Sequence, residues 1–375
     1  MSAAEPNSRR RPSWLLPTPA RVDEKAADSP VRALLVRLMR GEDLSREDAA
    51  RLFGAAMDEC ASDAQIGAAL VALAVKGETV DELTGMAEAM RSRAGRIRCR
   101  HSRFIDTAGT GSSYAKTFNV STAAAFVCAG AGLPVAKHGS RAATRLSGSA
   151  DVLAELGVRV EAERKLSEEC LNEEGICFLF APLYHQATRR VATIRRQLGV
   201  HTTFNLLGPL TNPAGAPCQV IGVWHESLLE PLAHTLVALG SERAWVVHGL
   251  DGMDEVTTTA STTVAEASDG LVRTFTIKPE DFGLPRASDL QQLRGGNAKS
   301  NAALIRAVFA SESGTKIALA RDLAVANAAA ALFVGGLEND LRTAAERARE
   351  SILSGAALKK LNALAERTSA AVASA

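Results

Sequence analysis

Aromatic residues are scarce: Phe, Trp and Tyr together make up 4% of a 375-residue chain. So few flat side chains leave little on which nucleic-acid bases could stack. A surplus of one charge is also missing. Forty-three Lys and Arg stand against 42 Asp and Glu, for a formal net charge of +1. Nucleic-acid binders concentrate a basic excess, so no nucleic-acid partner is expected. The six cysteines, Cys60, Cys99, Cys128, Cys170, Cys177 and Cys218, include no CxxC pair and no regular framework. They read as reduced, mostly buried thiols of a cytoplasmic protein. The longest apolar stretch, Ala123 to Ala136, is broken by Gly130, Gly132 and Pro134. It is too short to span a bilayer, and no membrane partner is expected.

Several catalytic signatures are absent as well. There is no GxSxG elbow, and none of the seven histidines stands in HExxH spacing, which excludes the commonest nucleophile and zinc-hydrolase patterns. No GxxxxGK[ST] occurs, and Gly109-Thr-Gly111 begins like GxGxxG but has Tyr114 where the third glycine belongs. P-loop and dinucleotide readings therefore score poorly.

What remains is an ordinary globular balance, 46% hydrophobic and 23% charged, with enough length for one large or two modest domains. Residues 1–29 hold Arg9-Arg-Arg11 and four prolines without an apolar core, the composition of a disordered tail. Glu5, Asp23, Glu24 and Asp28 argue against a transit peptide. Residues 30–101 read as a helical domain punctuated by three capping boxes, Ser45-x-x-Asp48, Ser62-x-x-Gln65 and Thr79-x-x-Glu82. The stretch Ile66–Val75 is apolar nearly all round, which predicts a helix central in its bundle. Residues 102–375 alternate β-type and helical runs, predicting an α/β domain with a mostly parallel central sheet flanked by helices. Candidate strands are Phe104–Ala108, Pro134–Lys137, Ile176–Phe180, Gln219–Trp224 and Ala244–Val247, then an antiparallel pair over Val256–Thr263 and Val272–Ile277. Candidate helices are Ser121–Ala131, Ser149–Leu156, Tyr184–Leu198, Leu228–Leu239 and an alanine-rich set from Ala298 to Ala365.

The most informative segments are two glycine- and hydroxyl-rich turns. One runs from Asp106 through Gly109-Thr-Gly-Ser-Ser113 to Thr117-Phe-Asn-Val-Ser-Thr122; the other is Lys137-His-Gly-Ser-Arg141, then Ser147-Gly-Ser-Ala-Asp151. Each follows a candidate strand and opens a candidate helix, the arrangement that offers backbone N–H groups and a helix dipole to phosphate. Two such turns suit a ligand with two separate phosphate groups. Asp254-Glu255 follows another strand, and in open parallel sheets ligands sit beyond the carboxyl ends of the strands. By itself an Asp-Glu pair there is more often a solvated loop. Arg189, Arg190, Arg195 and Arg196 could equally form the polar face of one helix, and His138 could be an ordinary loop histidine.

Together these segments resemble the glycosyltransferase family 3 phosphoribosyltransferases, over roughly residues 30 to 370. The family loops read GTGGD…TFNIST and KHGNR…SGSADVLE. Phe180-Ala-Pro182 with His185, Arg195-Arg-Gln-Leu-Gly199, Phe204-Asn-Leu-Leu-Gly-Pro-Leu-Thr-Asn-Pro213, Val247-His-Gly249 and Gly252-Met-Asp-Glu255 extend the match. The resemblance implies transfer of phosphoribosyl from 5-phosphoribosyl 1-pyrophosphate to the amine of anthranilate in tryptophan synthesis. It also implies two Mg²⁺ ions per site, a cytoplasmic homodimer, and a helical domain joined by part of 184–212. Carried over residue by residue, Gly109, Ser112, Ser113, Thr117, Asn119, Val120, Ser121 and Thr122 fall on the first substrate loop. Lys137, His138, Gly139, Ser140, Arg141, Arg145 and Ser149 fall on the second. Gly109, His138, Ser140 and Arg195 match the anthranilate positions, and Ser121, Asp254 and Glu255 the metal ligands. No residue is implied as a general acid or base; positioning and charge carry the reaction.

The chain departs from the family pattern in four places. Ser112-Ser113 replaces the last Gly-Asp of GTGGD, Ser140 replaces an asparagine, and Ala142-Ala-Thr-Arg145 replaces SVSS. Gly295-Gly-Asn-Ala-Lys-Ser-Asn-Ala302 replaces GGDAxxNA. These departures bear on the acceptor, so alternatives stay open: a same-fold transferase with another aromatic acceptor, a pyrimidine nucleoside phosphorylase, or a non-catalytic phosphate-binding paralogue.

Overall fold

The computed structural model describes residues 31–58, 60–111, 115, 117–142 and 146–370. The chain opens with four helices, α1 (Val31–Met39), α2 (Arg46–Met57), α3 (Asp63–Lys76) and α4 (Val80–Arg93). Their starts follow the hydroxyl signals. Ser62 with Gln65 and Thr79 with Glu82 form reciprocal capping boxes. Ser45 accepts the Asp48 N–H, while the Asp48 carboxylate turns to Arg37 instead of closing a box. The α4 residues Leu83, Met86, Ala87 and Met90 are all buried, as their helical spacing requires. The expectation for α3 is corrected. One face (Ile66, Ala69, Leu70, Leu73) is buried, but Ala64, Ala68, Val71, Ala74 and Val75 are exposed. Its all-round apolarity reflects one face in the core and a second at the surface, not a central position.

Seven strands follow in one sheet: β1 (Ile105–Gly109), β2 (Val135–Gly139), β3 (Ile176–Phe180), β4 (Cys218–Gly222), β5 (Arg243–Gly249), β6 (Thr262–Ser268) and β7 (Leu271–Ile277). Their order is β3-β2-β1-β4-β5-β6-β7. The first five are mutually parallel and the last two antiparallel. The threonine-rich run after Glu255 does not begin the antiparallel pair as its pattern predicts. Residues 256–261 form a loop, because the Thr257 and Thr259 hydroxyls donate to the Asp251 carboxylate, and the strand starts only at Thr262.

Crossovers between the parallel strands carry α5 (Val120–Gly130), α6 (Ser149–Glu155), α7 (Arg164–Glu169), α8 (Ala181–Tyr184), α9 (Arg189–Leu198), α10 (Phe204–Leu210) and α11 (Leu229–Ala238). The helix expected over Tyr184–Leu198 is broken at His185 into α8, a 3₁₀ turn and α9. The chain ends in α12 (Ala298–Phe309), α13 (Thr315–Val334), α14 (Leu341–Leu353) and α15 (Ala356–Ala370).

Two apolar cores cover the sheet. One contains α5 and α13 with Trp245 and Val247 of β5; the other contains α1–α4, α11, and Ala244 and Val246 of the same strand. That alternation is the period of a strand buried on both faces. Val191 and Ile194 of α9 and Phe204, Leu207 and Leu210 of α10 lie in the core of α1–α4, which ties residues after β3 to the helical bundle. Among the described residues α13, not the run from Ala123, is the helix long and apolar enough by length and composition to cross a membrane. Two-thirds (67%) of its most apolar 18-residue window is buried, and the helix packs against α5 and α14.

Candidate active site

Four of the five parallel strands, β1, β2, β4 and β5, end on glycine: Gly109, Gly139, Gly222 and Gly249. Their missing side chains let the loops above lie directly on the sheet edge. A Cβ on Gly222 would come within 1.6 Å of the Asp254 carbonyl oxygen, and one on Gly109 within 3.7 Å of Asp254 Oδ2. Thr110 N–H donates to the Gly222 carbonyl at 2.8 Å, so the first loop leaves β1 tied to the end of β4. Asp254 is therefore 3% exposed at the root of that loop. Its own loop is held from two sides. The Asp251 carboxylate accepts from Met253 N, Thr257 Oγ1 and Thr259 Oγ1. Asn327 of α13 accepts from Val256 N at 3.0 Å and donates to Val256 O at 2.8 Å.

Ser121 and Thr122 stand in the first turn of α5, which holds no acidic residue; the positive end of the helix dipole is left to an anion. Lys137 reaches across from β2. Its Nζ donates to the Thr107 carbonyl at 2.6 Å and to Ser121 Oγ at 3.4 Å. Burial lowers the pKa of this ammonium, and the Asp106 and Glu255 carboxylates oppose that shift. Lys137, Ser121 and Glu255 thus share one electrostatic neighbourhood. Asp106, fully buried, is pushed up to about 6 by desolvation, against Lys137 and the donors Asn212 Nδ2 and His138 N–H.

In the second loop, a Cβ on Gly139 would meet Ser149 Oγ at 2.2 Å and one on Gly148 would meet the Ser140 carbonyl at 2.6 Å. The start of α6 is thereby pressed onto the loop, and Ala150 N–H donates to the Ser140 carbonyl at 3.2 Å. Arg141 is directed elsewhere. It bridges Asp151 and Glu161 at 3.3 and 3.2 Å with half its side chain exposed, so the structure does not gather it with Lys137. Ser112, Ser113 and Arg145 lie outside the described residues.

His138 is 7% exposed. Its Nδ1 is 3.2 Å from the Gly208 carbonyl of α10. A carbonyl only accepts, so the proton sits on Nδ1 and Nε2 is left as a lone-pair acceptor, buried and without a partner among the described residues. The His185 ring lies 5.1 Å away, centroid to centroid. Burial pushes His138 down to about 3 and His185 to about 4, so both rings are neutral.

Arg195 completes the cluster from α9. Its guanidinium lies 5.1 Å over the Phe204 ring and donates to Asn205 Oδ1 at 3.1 Å. Its Nε is buried without a partner among the described residues, and burial pulls its pKa down to about 10. Among the described residues no carboxylate pairs with it, whereas Arg190 and Arg243 both hold acids. Because α10 carries both Asn205 and Gly208, it links Arg195 to His138.

The oxygen donors Ser121, Asp254 and Glu255 suit a hard cation such as Mg²⁺. Among the described residues no group of three His, Cys, Asp or Glu could cage a metal alone. Asn212 and Asn301 stand inside motifs legible in the sequence, but nothing there assigned their amides a supporting role, and Asn327 stood outside every motif. The one signal for the last was a lone asparagine inside Ala324-Val-Ala-Asn-Ala-Ala329.

Residues 101–358 match the glycosyl transferase family α/β domain, and residues 32–94 match the helical bundle domain of the same family. The chain belongs to this glycosyl transferase family. Among its relatives in that family, the anthranilate phosphoribosyltransferase of Anaeromyxobacter dehalogenans (strain 2CP-C) is 50% identical over 338 residues, covering 90% of this chain and 98% of the relative. The structure of anthranilate phosphoribosyltransferase from Thermus thermophilus superposes with a TM-score of 0.83 at 39% identity, covering 91% of this chain and 99% of that one. The Saccharomyces cerevisiae enzyme in complex with phosphoribosyl pyrophosphate and Mg gives 0.82 at 25% identity, covering 92% and 99%. The glycosyl transferase fold, small helical domain and larger α/β domain, is thus shared along nearly the whole length.

Proposed function

We propose that this glycosyl transferase moves phosphoribosyl from 5-phosphoribosyl 1-pyrophosphate to the amine of anthranilate, releasing pyrophosphate. The observation that carries the acceptor is Arg195: a largely buried guanidinium without an acidic partner, braced on Phe204 and Asn205. Such a cation calls for a planar anion from outside the chain, and a carboxylate meets a guanidinium through two parallel hydrogen bonds. The donor end is the glycine-floored edge, where Gly109, Thr117, Asn119, Val120, Ser121 and Thr122 meet the diphosphate and ribose. Gly139, Ser140 and Ser149 take the second phosphate, while Lys137 leans to the diphosphate side through Ser121.

The amine nitrogen attacks the ribose C1 as the bond from C1 to the pyrophosphate oxygen breaks; the leaving group keeps the electron pair, and the proton shed by the newly substituted nitrogen passes to the departing pyrophosphate. Positive charge grows at C1 and negative charge on the pyrophosphate. When bound, Mg²⁺ neutralises the diphosphate; Asp254 and Glu255, with Ser121, are the residues that would hold it, two ions per site being the proposal. Lys137 and the first turn of α5 add fixed positive potential. His138, neutral with a free Nε2 lone pair, accepts a hydrogen bond from the amine without removing its proton beforehand. An aniline is already uncharged at neutral pH, so orientation is what it needs.

The working unit proposed is a cytoplasmic homodimer. Each chain has a helical domain, 30–101 with part of 184–212, beside an α/β domain, 102–375. The apolar exposed face of α3 supports the dimer. The direct test is to incubate the protein with phosphoribosyl pyrophosphate, Mg²⁺ and anthranilate and follow loss of anthranilate fluorescence. Turnover dependent on all three is expected. Undetectable turnover with phosphoribosyl pyrophosphate still bound would overturn the acceptor assignment.

A further inference from the structure

The segment Gly295–Ala302 is remote in sequence from both substrate loops, yet it lies against the first of them. Thr117 and Arg294 form an isolated antiparallel bridge, and a Cβ on Gly295 would come within 2.5 Å of the Thr117 carbonyl. Part of its departure from the family pattern is conservative: Asn297 caps α12 by accepting the Ser300 N–H at 2.9 Å, a task asparagine and aspartate share. The residue that reaches the site is Asn301, in the first turn of α12 and 3% exposed.

The Asn301 amide can be oriented without ambiguity. Its Oδ1 accepts from the Gly296 backbone N–H at 2.7 Å, and a backbone N–H can only donate. The opposite end is therefore the amino group. Nδ2 lies 3.0 Å from Asn119 Oδ1 and 2.9 Å from Ser147 Oγ. An amino group can only donate, so Asn119 must turn its carbonyl oxygen toward it, and the Ser147 hydroxyl donates to the same oxygen at 3.2 Å. With that oxygen held twice, the part of Asn119 left outside this network is its own amino group. An ionised diphosphate presents only acceptors, so it is attracted by an amide that offers NH₂ and repelled by one that offers C=O.

We infer that Asn301 is a positioning residue. It sets the Asn119 amide so that its amino group faces the diphosphate, and it fastens the first substrate loop to the second through Ser147. This rests on the reading of Asn119 as a diphosphate contact given above. Neither Asn301 nor Ser147 touches substrate in this arrangement; both act through Asn119.

The test is a double-mutant cycle in the full-length protein using Asn301→Asp and Asn119→Ala. Aspartate keeps the acceptor for Gly296 but sets an oxygen against Asn119 Oδ1, so the Asn119 amide turns over and presents its own oxygen to the diphosphate. Calorimetric titration with pyrophosphate in Mg²⁺ buffer should show binding weakened about ten-fold by Asn301→Asp. The KM for phosphoribosyl pyrophosphate should rise in parallel and the KM for anthranilate should not move. In the Asn119→Ala background the loss from Asn301→Asp should shrink to the direct repulsion of its new carboxylate, and Asn301→Ala, which adds no charge, should cost nothing there. An equal loss with and without Asn119, or an equal rise in both KM values, would show a purely structural role and overturn the inference alone. Wild-type pyrophosphate binding by Asn119→Ala would remove the reading of the first loop and the inference with it. If Asn301→Asp does not yield folded protein, Asn301→Ala runs the same cycle.

Discussion

The Asp254 carbonyl occupies the space that a side chain on Gly222 would fill, 1.6 Å from the position of its Cβ. A backbone atom cannot give way as the tip of a flexible side chain does, so β4 can carry only glycine there while Asp254 stays where it is. Gly222→Ala should displace the Asp254–Glu255 loop and cut turnover by at least about 100-fold, the scale of an ångström-sized misplacement at a reacting centre. Asp254→Asn, which removes charge and keeps shape, should lose turnover without losing Tm. Steady-state assays across a Mg²⁺ series, beside thermal melts, check both; near wild-type turnover of Asp254→Asn at moderate Mg²⁺ would refute the metal assignment.

Arg195→Ala should raise the KM for anthranilate about thirty-fold, the equivalent of losing a partly buried charged hydrogen-bond pair worth about 2 kcal/mol. The KM for phosphoribosyl pyrophosphate should stay put, because the side chains that brace Arg195 (Phe204 and Asn205) belong to α10 and not to the donor loops. Equal rises in both would indicate damage to α9 and α10. Arg195→Lys should recover only part of the loss, since an ammonium cannot make the two parallel bonds.

The elements that sequence reading placed well are those whose local pattern and tertiary role agree. Ile176–Phe180 emerges with its expected bounds because all five residues are apolar and both faces of β3 are covered. The threonines after Val256 misled for a physical reason. β-Branching favours a strand, but the Thr257 and Thr259 hydroxyls are consumed by Asp251, a partner that no periodicity announces. The substrate loops were legible as motifs; the side chains that hold them were not. Asn301 and Asn327 lie far along the chain in alanine-rich helices, and only folding brings their amides to Asn119 and Val256. Arg141 shows the converse: a motif arginine whose neighbours Asp151 and Glu161 engage it first.

Acid should weaken the protein through its buried histidines. The folded rings titrate at about 3 and 4, while free imidazole titrates near 6.5. Below about pH 6.5 the unfolded chain therefore binds protons that the folded chain refuses. The stability of the neutral rings is complete above about 6.5 and is lost as pH falls toward 4. Asp106, raised to about 6, has the opposite sign and offsets one of these two protons over the lower part of that range. Tm should still decline on acidification. His185→Gln should flatten the decline by one proton, about 1.4 kcal/mol per pH unit, as read from denaturant melts at stepped pH. An unchanged slope in that variant would show that His185 is already charged in the folded protein.

The exposed face of α3 makes a separate prediction. Val71 is 41% exposed beside Ala68 and Val75, so Val71→Arg costs the isolated chain little; arginine is the better helix former. In a homodimer built on this face the variant should sediment as a monomer with nearly unchanged Tm at low concentration. A wild-type sedimentation coefficient for the variant would place the dimer contact elsewhere or remove it.

The Asn327 clamp on Val256 has a bearing on how the protein comes into being. A ribosome reaches Ser121, Lys137, Arg195, Asp254 and Glu255 long before it reaches Asn301 and Asn327. A nascent chain halted at residue 300 would already carry every group assigned here to touch a substrate, and neither of the amides that brace Asn119 and Val256. A stop codon between residues 300 and 327 should therefore be as damaging as the loss of a metal ligand, though it deletes no residue that meets the reaction.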